Sequence, residues 1–239
     1  MSRRIETLDP ALVLGAYSVG VFPMADHRDA DSVYWVEPRR RAILPLDGFH
    51  LSRSLRKTIA ADRFRVTADT AFPETLRLCA ESVEGRPETW INHSIEQVFR
   101  RFHTMGLAHS VECWLGDELV GGLYGLALGR AFFGESMVSR VPDASKVAIA
   151  WLVARLRAGG FTLLDCQFMT PHLASLGAIE VDRSRYMALL ADALSDSAAA
   201  GSGVSARAAD FRALDGAARL TVSGPVAGKD VVQLLTHTS

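Results

Sequence analysis

The sequence of 239 residues has few cysteines and no long apolar run. No window reaches 18 uninterrupted apolar residues, and residues 1–6 contain no apolar stretch. Cys79, Cys113 and Cys166 each stand alone in an apolar context, without metal-ligand spacing. An odd cysteine count without a secretion signal is typical of the reducing cytosol. We therefore expect a cytoplasmic protein with no metal site and no membrane segment.

The chain also lacks an excess of charge of either sign, because its formal net charge is −1. No global field then favours a nucleic-acid partner, and any basic surface has to be local. Between residues 37 and 65, eight basic residues are accompanied by only three acidic ones, which indicates either a phosphate-binding surface or the solvated face of a helix. The basic residues are Arg39, Arg40, Arg41, Arg53, Arg56, Lys57, Arg63 and Arg65.

Two apolar runs that end in polar side chains are the most informative feature of the sequence. They cover residues 132–137 and 163–167, and an amphipathic helical pattern closed by Gly159 and Gly160 lies between them. This order predicts a β-α-β unit whose two strands end at the same edge of a sheet. Ligand crevices form at such edges, where a carboxylate and an amide can orient or deprotonate a nucleophile.

Three side chains at this edge are the candidate catalytic residues. Glu135 follows apolar residues, so its carboxylate needs a donor, and a plain ion pair with Arg140 or Lys146 is the alternative. Asp165 lies in an expected central strand, and Gln167 shares its face because strand side chains alternate. This pattern supports a functional pair and a buried structural hydrogen bond equally.

Weaker signals surround this edge. The start of the intervening helix, with Lys146 beside it, is a candidate anion site or an ordinary cap. Met137, Phe133, Phe168 and Met169 can line an apolar hole or belong to a plain core. The histidines form no ligand-spaced set.

The rest of the pattern predicts short helices and strands in mixed order. Helical patterns cover residues 9–20, 52–60, 71–80, 93–105, 172–176 and 183–194, and extended ones cover 33–36, 41–45 and 64–67. Residues 109–115 and 119–128 form a hairpin pattern that is broken at Gly121 and Gly122. After residue 195 bulky apolar residues become scarce, which predicts a flexible tail, although residues 231–235 could dock.

From about residue 11 to residue 190, the chain resembles the leucyl/phenylalanyl-tRNA–protein transferases in the order and spacing of many motifs. These are Gly15-Ala16-Tyr17, Gly20-Val21-Phe22-Pro23, Tyr34-Trp35-Val36-Glu37-Pro38, Phe49-His50-Leu51-Ser52-Arg53-Ser54-Leu55, Thr89-Trp90-Ile91, His109-Ser110-Val111-Glu112, Leu119-Val120-Gly121-Gly122-Leu123-Tyr124-Gly125, Phe133-Gly134-Glu135-Ser136-Met137, Ala144-Ser145-Lys146, Leu164-Asp165-Cys166-Gln167 and Ala174-Ser175-Leu176-Gly177-Ala178.

The resemblance implies an α/β (α+β) architecture with two domains. A small N-terminal domain covers residues 1–48, and a catalytic domain like the GCN5-related N-acetyltransferases, with a mixed and mostly antiparallel sheet, covers 49–194. Residues 195–239 are the low-complexity tail predicted from composition, which the resemblance does not cover. The implied enzyme is a cofactor-free aminoacyltransferase, and we expect a monomer by default. It moves Leu or Phe, and by the same pocket Met, from aminoacyl-tRNA to the N-terminal amine of proteins beginning with Arg or Lys, which marks them for degradation by the N-end rule pathway.

The resemblance also implies roles for single residues. Asp165 and Gln167 match the family's catalytic pair, and Glu135 matches the acidic residue that helps to hold the site. Met137, Phe133 and Leu164 match the apolar pocket for the Leu or Phe side chain. Trp35 and Trp90 match aromatic positions near the substrate, and Arg53, Arg56 and Lys57 match basic residues that face the tRNA acceptor stem.

The implied reaction is aminolysis of an activated ester, in which the acceptor's own amine is the nucleophile. We expect Asp165 to orient Gln167, and the pair to position the amine and take up its developing charge or proton. One rival is an acetyl-CoA-dependent N-acetyltransferase, but the loop at residues 139–145 lacks the glycines that expose backbone amides to a pyrophosphate. A non-catalytic tRNA-binding module is the other rival, and it leaves Asp165 and Gln167 unexplained.

Overall fold

The computed structural model describes residues 7–81, 89–195, 209–218 and 226–236. Within these ranges the strands form a two-stranded and a seven-stranded sheet. The strands are β1 (Phe22–Met24), β2 (Tyr34–Val36), β3 (Arg40–Ile43), β4 (Arg65–Ala68), β5 (Ala108–Leu115), β6 (Glu118–Leu128), β7 (Ala131–Ser139), β8 (Leu163–Gln167) and β9 (Ile179–Asp182).

The α-helices follow the predicted pattern closely up to residue 195, and further helices come after it. They are α1 (Pro10–Ser18), α2 (Arg53–Ala60), α3 (Phe72–Ala80), α4 (His93–Thr104), α5 (Ala144–Ala158), α6 (Pro171–Ser175), α7 (Arg183–Ser195), α8 (Ala213–Ala218) and α9 (Gly228–Thr236), with a 3₁₀ turn at Leu46–Gly48. Local capping explains several starts: the side chains of Asp9, Ser52 and Asn92 each accept a backbone N–H of the first helical turn.

The large sheet has the order β4-β5-β6-β7-β8-β3-β9. Its neighbouring strands are antiparallel except β7 and β8, which run parallel and are joined by α5. The predicted β-α-β unit and the mixed, mostly antiparallel sheet are therefore confirmed. Because β7 and β8 are parallel, their polar carboxyl ends meet at one edge of the sheet.

Strand β3 lies between β8 and β9, and its residues Ala42 and Ile43 pair with Gln167 and Asp165. It precedes residue 48, where we predict the boundary of a small N-terminal domain, so a strand assigned to that domain is part of the large sheet. Only β1 and β2 form a separate sheet among the described residues. Because β3 lies beside β8, this N-terminal strand contacts the predicted site directly.

Two apolar cores lie on the two faces of the large sheet. One surrounds α5 with α2 and α9, and the other contains residues of α1, α3, α4 and α7. Gly121 of β6 lets α5 approach, since a Cβ there would lie 2.5 Å from that of Ala144. Strand β6 is continuous through Gly121 and Gly122, so the expected break at these residues is wrong.

The flexible-tail prediction is wrong for residues 209–218, and the alternative that residues 231–235 dock on the protein is confirmed. Phe211, Leu214, Val231, Val232 and Leu235 are buried in the core around α5, because short amphipathic stretches were hidden in a region of low average hydrophobicity. Residues 196–203 of the low-complexity run lie outside the described residues. No helix in the described ranges is long and apolar enough to span a bilayer.

Candidate active site

A cavity of about 430 Å³ opens at the carboxyl ends of β7 and β8. Its wall is mainly apolar, with a few polar groups that include Glu135, Gln167 and His172. A mainly apolar wall with a few converging polar groups is typical of small-molecule sites. The apolar lining side chains are Leu44, Leu123, Met137, Ile149, Leu152, Leu164, Phe168 and Leu173.

A β-bulge places Glu135 at the edge of this cavity. In the pairing of β6 with β7, Tyr124 opposes Ser136 and Gly125 opposes Gly134, which leaves Glu135 as the extra residue. Such a bulge bends the strand and re-aims a side chain. The carboxyl group of Glu135 thereby reaches the cavity although the residue is only 6% exposed.

Among the described residues, the carboxyl group of Glu135 has two neutral hydrogen-bond donors and no cation in contact. The hydroxyl of Tyr17 donates to Oε1 at 2.8 Å, and the side-chain amide of Gln167 donates to Oε2 at 3.1 Å. Burial raises the pKa of Glu135 to about 8, because these two hydrogen bonds offset only part of the desolvation of the carboxylate. The group can therefore change its protonation state near neutral pH.

The ion pairs considered as an alternative for Glu135 do not form. Arg140 pairs instead with Glu81 at 2.7 Å, and Lys146 lies 3.8 Å from Asp143. Asp143, the N-cap residue of α5, has a left-handed backbone (φ 72°) and makes no side-chain cap bond, so the ordinary cap considered at the start of this helix does not form through Asp143.

Gln167, the last residue of β8, has a left-handed backbone with φ 61°. This conformation is uncommon outside glycine and is stabilised here because the Gln167 N–H donates to Oδ1 of Asp165 at 2.8 Å. Its side chain is 7% exposed and lines the cavity. Since its NH₂ donates to Glu135, its carbonyl oxygen has no protein partner among the described residues and is free to accept a hydrogen bond from a ligand.

Asp165 lies on the other side of β8 from this opening. It is 0% exposed, and Arg41 donates from Nε and Nη2 to its carboxylate at 2.9 and 2.6 Å. The hydroxyl of Tyr186 adds a further hydrogen bond at 2.7 Å. The expectation that the Asp165 carboxylate projects into the cavity is wrong, and its link to Gln167 runs through the backbone N–H.

Arg41 is the residue of this region that the sequence interpretation missed. We assigned it to the basic cluster, but its guanidinium is buried between the rings of Phe22 and Tyr186, 4.5 and 4.8 Å from their centroids. One signal was present: Arg41 immediately precedes the apolar run of residues 42–44, and a charge in a buried strand needs a partner. That partner is 124 residues away in the chain, so the pairing was not visible.

The structure divides the predicted apolar pocket. Met137 and Leu164 line the cavity. Phe133 belongs to the opposite core, with its ring 5.0 Å from that of Tyr17, so its predicted place in the cavity wall is corrected. Phe168, which is 46% exposed, lines the cavity and contacts the ring of Phe22.

The two tryptophans lie outside the lining of this cavity. Trp35 is on β2 opposite Pro23 and is 39% exposed. Trp90 is partly buried against the core that contains Phe133, and its carbonyl accepts the N–H of Ala25 at 3.1 Å.

His172 is a second missed residue, because we considered the histidines only as metal ligands. It follows Pro171 at the start of α6 and lines the cavity, with Nε2 3.5 Å from Oγ of Ser145. Burial and the charge of Lys146 lower the pKa of His172, which keeps its ring neutral at neutral pH.

The predicted tRNA-binding residues Arg53, Arg56 and Lys57 are all exposed on α2. None of them has an ion-pair partner among the described residues. They are therefore available to an anionic ligand at the surface.

Comparison with known proteins identifies the family. Residues 43–191 match the model of the leucyl/phenylalanyl-tRNA protein transferases, and residues 6–39 match that of their N-terminal domain. Two relatives carry the name leucyl/phenylalanyl-tRNA–protein transferase. That of Rhizorhabdus wittichii is 59% identical over 98% of this chain and 100% of its own length, and that of Zymomonas mobilis is 61% identical over 79% and 70%.

A solved structure, L-PGS from Bacillus licheniformis, superposes on 55% of this chain and 46% of its own with a TM-score of 0.41 and 16% identity, a likeness too weak to assign a fold. The two family models together span most of the chain, and the relative from Rhizorhabdus wittichii aligns over nearly all of it. The chain therefore belongs to the leucyl/phenylalanyl-tRNA–protein transferase family.

Proposed function

We propose that this enzyme transfers Leu or Phe from aminoacyl-tRNA to the N-terminal amine of proteins that begin with Arg or Lys, as a monomer in the cytoplasm. The product is a protein marked for degradation by the N-end rule pathway. Membership of the family supports the reaction class. The observation that carries the proposal is the amide of Gln167, which is oriented at the wall of an apolar cavity with its carbonyl oxygen free.

The apolar cavity is our candidate pocket for the side chain of the transferred amino acid. Its volume of about 430 Å³ accommodates an unbranched or γ-branched side chain such as Leu, Phe or Met. Met137 and Leu164 form part of its wall. An apolar pocket separates near-isosteres by only about 1–3 kcal/mol, which is consistent with the use of more than one amino acid.

Glu135 and Gln167 are our candidates for positioning the acceptor's amine. The free carbonyl oxygen of Gln167 can accept one N–H of that amine, and the adjacent carboxylate of Glu135 can accept another. An α-amine has an ordinary pKa of about 8, so part of it is unprotonated and nucleophilic at neutral pH. As this neutral amine attacks, its nitrogen becomes positively charged and acidic, and the carboxylate of Glu135, whose pKa is about 8, can accept the N–H proton.

The reaction is balanced without any further reagent. The amine nitrogen attacks the ester carbonyl carbon, and the C–O bond to the 3′-terminal ribose oxygen breaks. Glu135 takes a proton from the attacking nitrogen and passes it to that ribose oxygen, either directly or through a water molecule. Because the ester is already activated, holding it against the amine supplies much of the acceleration.

Asp165 acts in this scheme as a positioning residue. Its carboxylate holds the backbone N–H of Gln167 in the left-handed conformation and is itself held by Arg41. The predicted function of the Asp165–Gln167 pair is thus retained in a changed form. The amide meets the substrate, and the carboxylate fixes the amide.

The remaining predicted contacts belong to the tRNA. We place its 3′ end near Trp35 and Trp90 and its acceptor stem along Arg53, Arg56 and Lys57, all of which except Trp90 are well exposed. The catalytic domain then corresponds to a GCN5-related acetyltransferase fold used without coenzyme A. In support, the Ser145 N–H at the start of α5 is already donated to Ser139 Oγ at 3.2 Å and is not free for a pyrophosphate.

The decisive experiment is transfer of labelled leucine from tRNA to peptides that begin with Arg, Lys, Asp or Ala, with and without acetyl-CoA. We expect labelling of the Arg and Lys peptides only, independent of acetyl-CoA. Acetylation of the peptides would favour the acetyltransferase alternative. Binding of charged tRNA without any transfer would favour a non-catalytic binding module.

A further inference from the structure

The C-terminal segment of this chain lies beyond the residues matched by the family models and yet is fixed to the catalytic core. Besides its buried apolar side chains, Arg155 donates to both carboxylate oxygens of Asp215 at 2.6 and 2.9 Å. At the start of α9, the Gly228 N–H donates to Oδ1 of Asp62, just after α2, at 2.7 Å. The surface of α9 therefore has a defined position next to α2.

Helix α9 packs alongside α2 and extends its cationic surface. Arg56 of α2 and Lys229 of α9 line the same surface depression of about 330 Å³. Within the part of the chain that the structure describes, no acidic side chain lines this depression; the other lining residues are Ala60, Val232, Gln233 and Thr236.

The cations of this surface are unpaired, unlike many elsewhere on the protein. Among the described residues, Lys229 has no ion-pair partner, as is true of the three basic residues of α2. By contrast, surface arginines on α3, α4 and α7 pair with glutamates, as do Arg28 and Arg140. Of the nearby acidic groups, Asp62 is bound to the Gly228 N–H, and Asp230 follows Lys229 on α9, about 100° further around the helix axis.

We propose that α2 and α9 form one RNA-binding surface, in which Lys229 contacts a backbone phosphate of the aminoacyl-tRNA next to that held by Arg56. This inference rests on the proposed function, which brings one polyanion to the enzyme. Unpaired cations on neighbouring rigid helices complement a run of phosphates, because each contact releases a condensed counterion. The C-terminal segment is then part of the substrate-binding machinery.

The test uses the full chain with Lys229→Glu and the milder Lys229→Gln. Affinity for leucyl-tRNA is measured at several salt concentrations, together with kcat and the KM of an Arg-started peptide. We expect Lys229→Glu to weaken tRNA binding about 3- to 10-fold at low salt and to reduce the slope of log affinity against log salt by about 1. The kcat and the peptide KM should stay unchanged.

Arg101→Glu is the matched control, because Arg101 is exposed on α4 and has no ion-pair partner in the described ranges of the chain. The inference fails if Lys229→Glu and Lys229→Gln bind tRNA with the affinity and salt slope of the wild type, or if Arg101→Glu has the same effect as Lys229→Glu. It also fails if the KM of the peptide rises while the affinity for leucyl-tRNA stays unchanged. That result would indicate that the surface binds an acidic protein partner. A wild-type chain that transfers leucine while Lys229→Glu shows no change refutes the inference alone, whereas a wild-type chain that neither binds tRNA nor transfers leucine refutes the proposed function and the inference with it.

Discussion

Two buried carboxyl groups lie on adjacent strands of one sheet, and their surroundings differ in kind. Asp165 is neutralised by Arg41 and further held by Tyr186, away from the cavity. Glu135 borders the cavity and, among the described residues, accepts hydrogen bonds from the hydroxyl of Tyr17 and the amide of Gln167 alone. Asp165, paired with a buried cation, serves as an anchor, whereas burial raises the pKa of Glu135 to about 8. The same sheet thus carries one charge that holds the structure and one that we propose takes part in the reaction.

The largest expected effect comes from removing the reactive charge. Glu135→Gln should lower kcat about 10²- to 10⁴-fold, because the amine then loses its proton acceptor. In the wild type, both Glu135 and the acceptor's amine must be unprotonated, so log kcat/KM should rise with a slope near 2 below pH 7. In Glu135→Gln only the amine remains, and the slope should fall to about 1.

Glu135→Gln should also change how stability depends on pH, which checks the titration without any substrate. The folded-state pKa of Glu135 is about 8, above its unfolded value, so folding retains a proton between these two pKa values. The contribution of the neutral carboxyl group is therefore fully present below the unfolded pKa and is lost as pH rises through about 8. Urea denaturation should show that the free energy of unfolding of the wild type falls with pH relative to that of Glu135→Gln. If the free energies of the two proteins ran parallel from pH 5 to pH 8, the raised pKa of Glu135 would be wrong.

Removing the cation from the anchored carboxylate should mainly affect folding. Arg41→Met leaves the charge of Asp165 buried without its counterion, and we expect a loss of about 3–5 kcal/mol in the free energy of unfolding. Arg183→Met is the control, because its ion pair with Glu37 is exposed and should contribute less than about 1 kcal/mol. If Arg41→Met were as stable as this control, the anchor role would be wrong. The double variant Arg41→Met with Asp165→Asn should recover part of the lost stability, because the unpaired buried charge is then removed.

Two tyrosine substitutions compare the carboxyl groups directly. Tyr17→Phe removes a hydrogen bond that lowers the pKa of Glu135, so the midpoint of the pH–rate profile should move up by about 1 unit. Tyr186→Phe removes the equivalent bond to Asp165 and should cost about 1–2 kcal/mol in stability without moving the midpoint. Equal midpoint shifts in both variants would contradict the separate roles of the two carboxyl groups.

The different surroundings of Glu135 and Asp165 were only partly predictable from the sequence. Periodicity indicated β7, α5 and β8, and hence that Glu135 and Gln167 end up at one sheet edge, because this information is local. The bulge at Glu135 and the left-handed backbone of Gln167 depend on cross-strand register, which no local pattern encodes. The Arg41–Asp165 pair depends on the insertion of β3 beside β8, a contact between residues 124 positions apart.

The smallest expected effect tests whether β7 also separates a residue of the cavity from a residue of the opposite core. Met137 lines the cavity, whereas Phe133 faces the opposite core. Met137→Ala should enlarge the pocket and raise the kcat/KM of phenylalanyl-tRNA relative to leucyl-tRNA about 10-fold, since a pocket of this type discriminates by only about 1–3 kcal/mol. Phe133→Leu should lower stability through a lost buried ring and leave this ratio unchanged. If this ratio of kcat/KM values changed in Phe133→Leu but not in Met137→Ala, the amino-acid pocket would lie on the face of the sheet that Phe133 packs against. Glu135, which borders the cavity on the other face, could then not accept a proton from an amine attacking the ester.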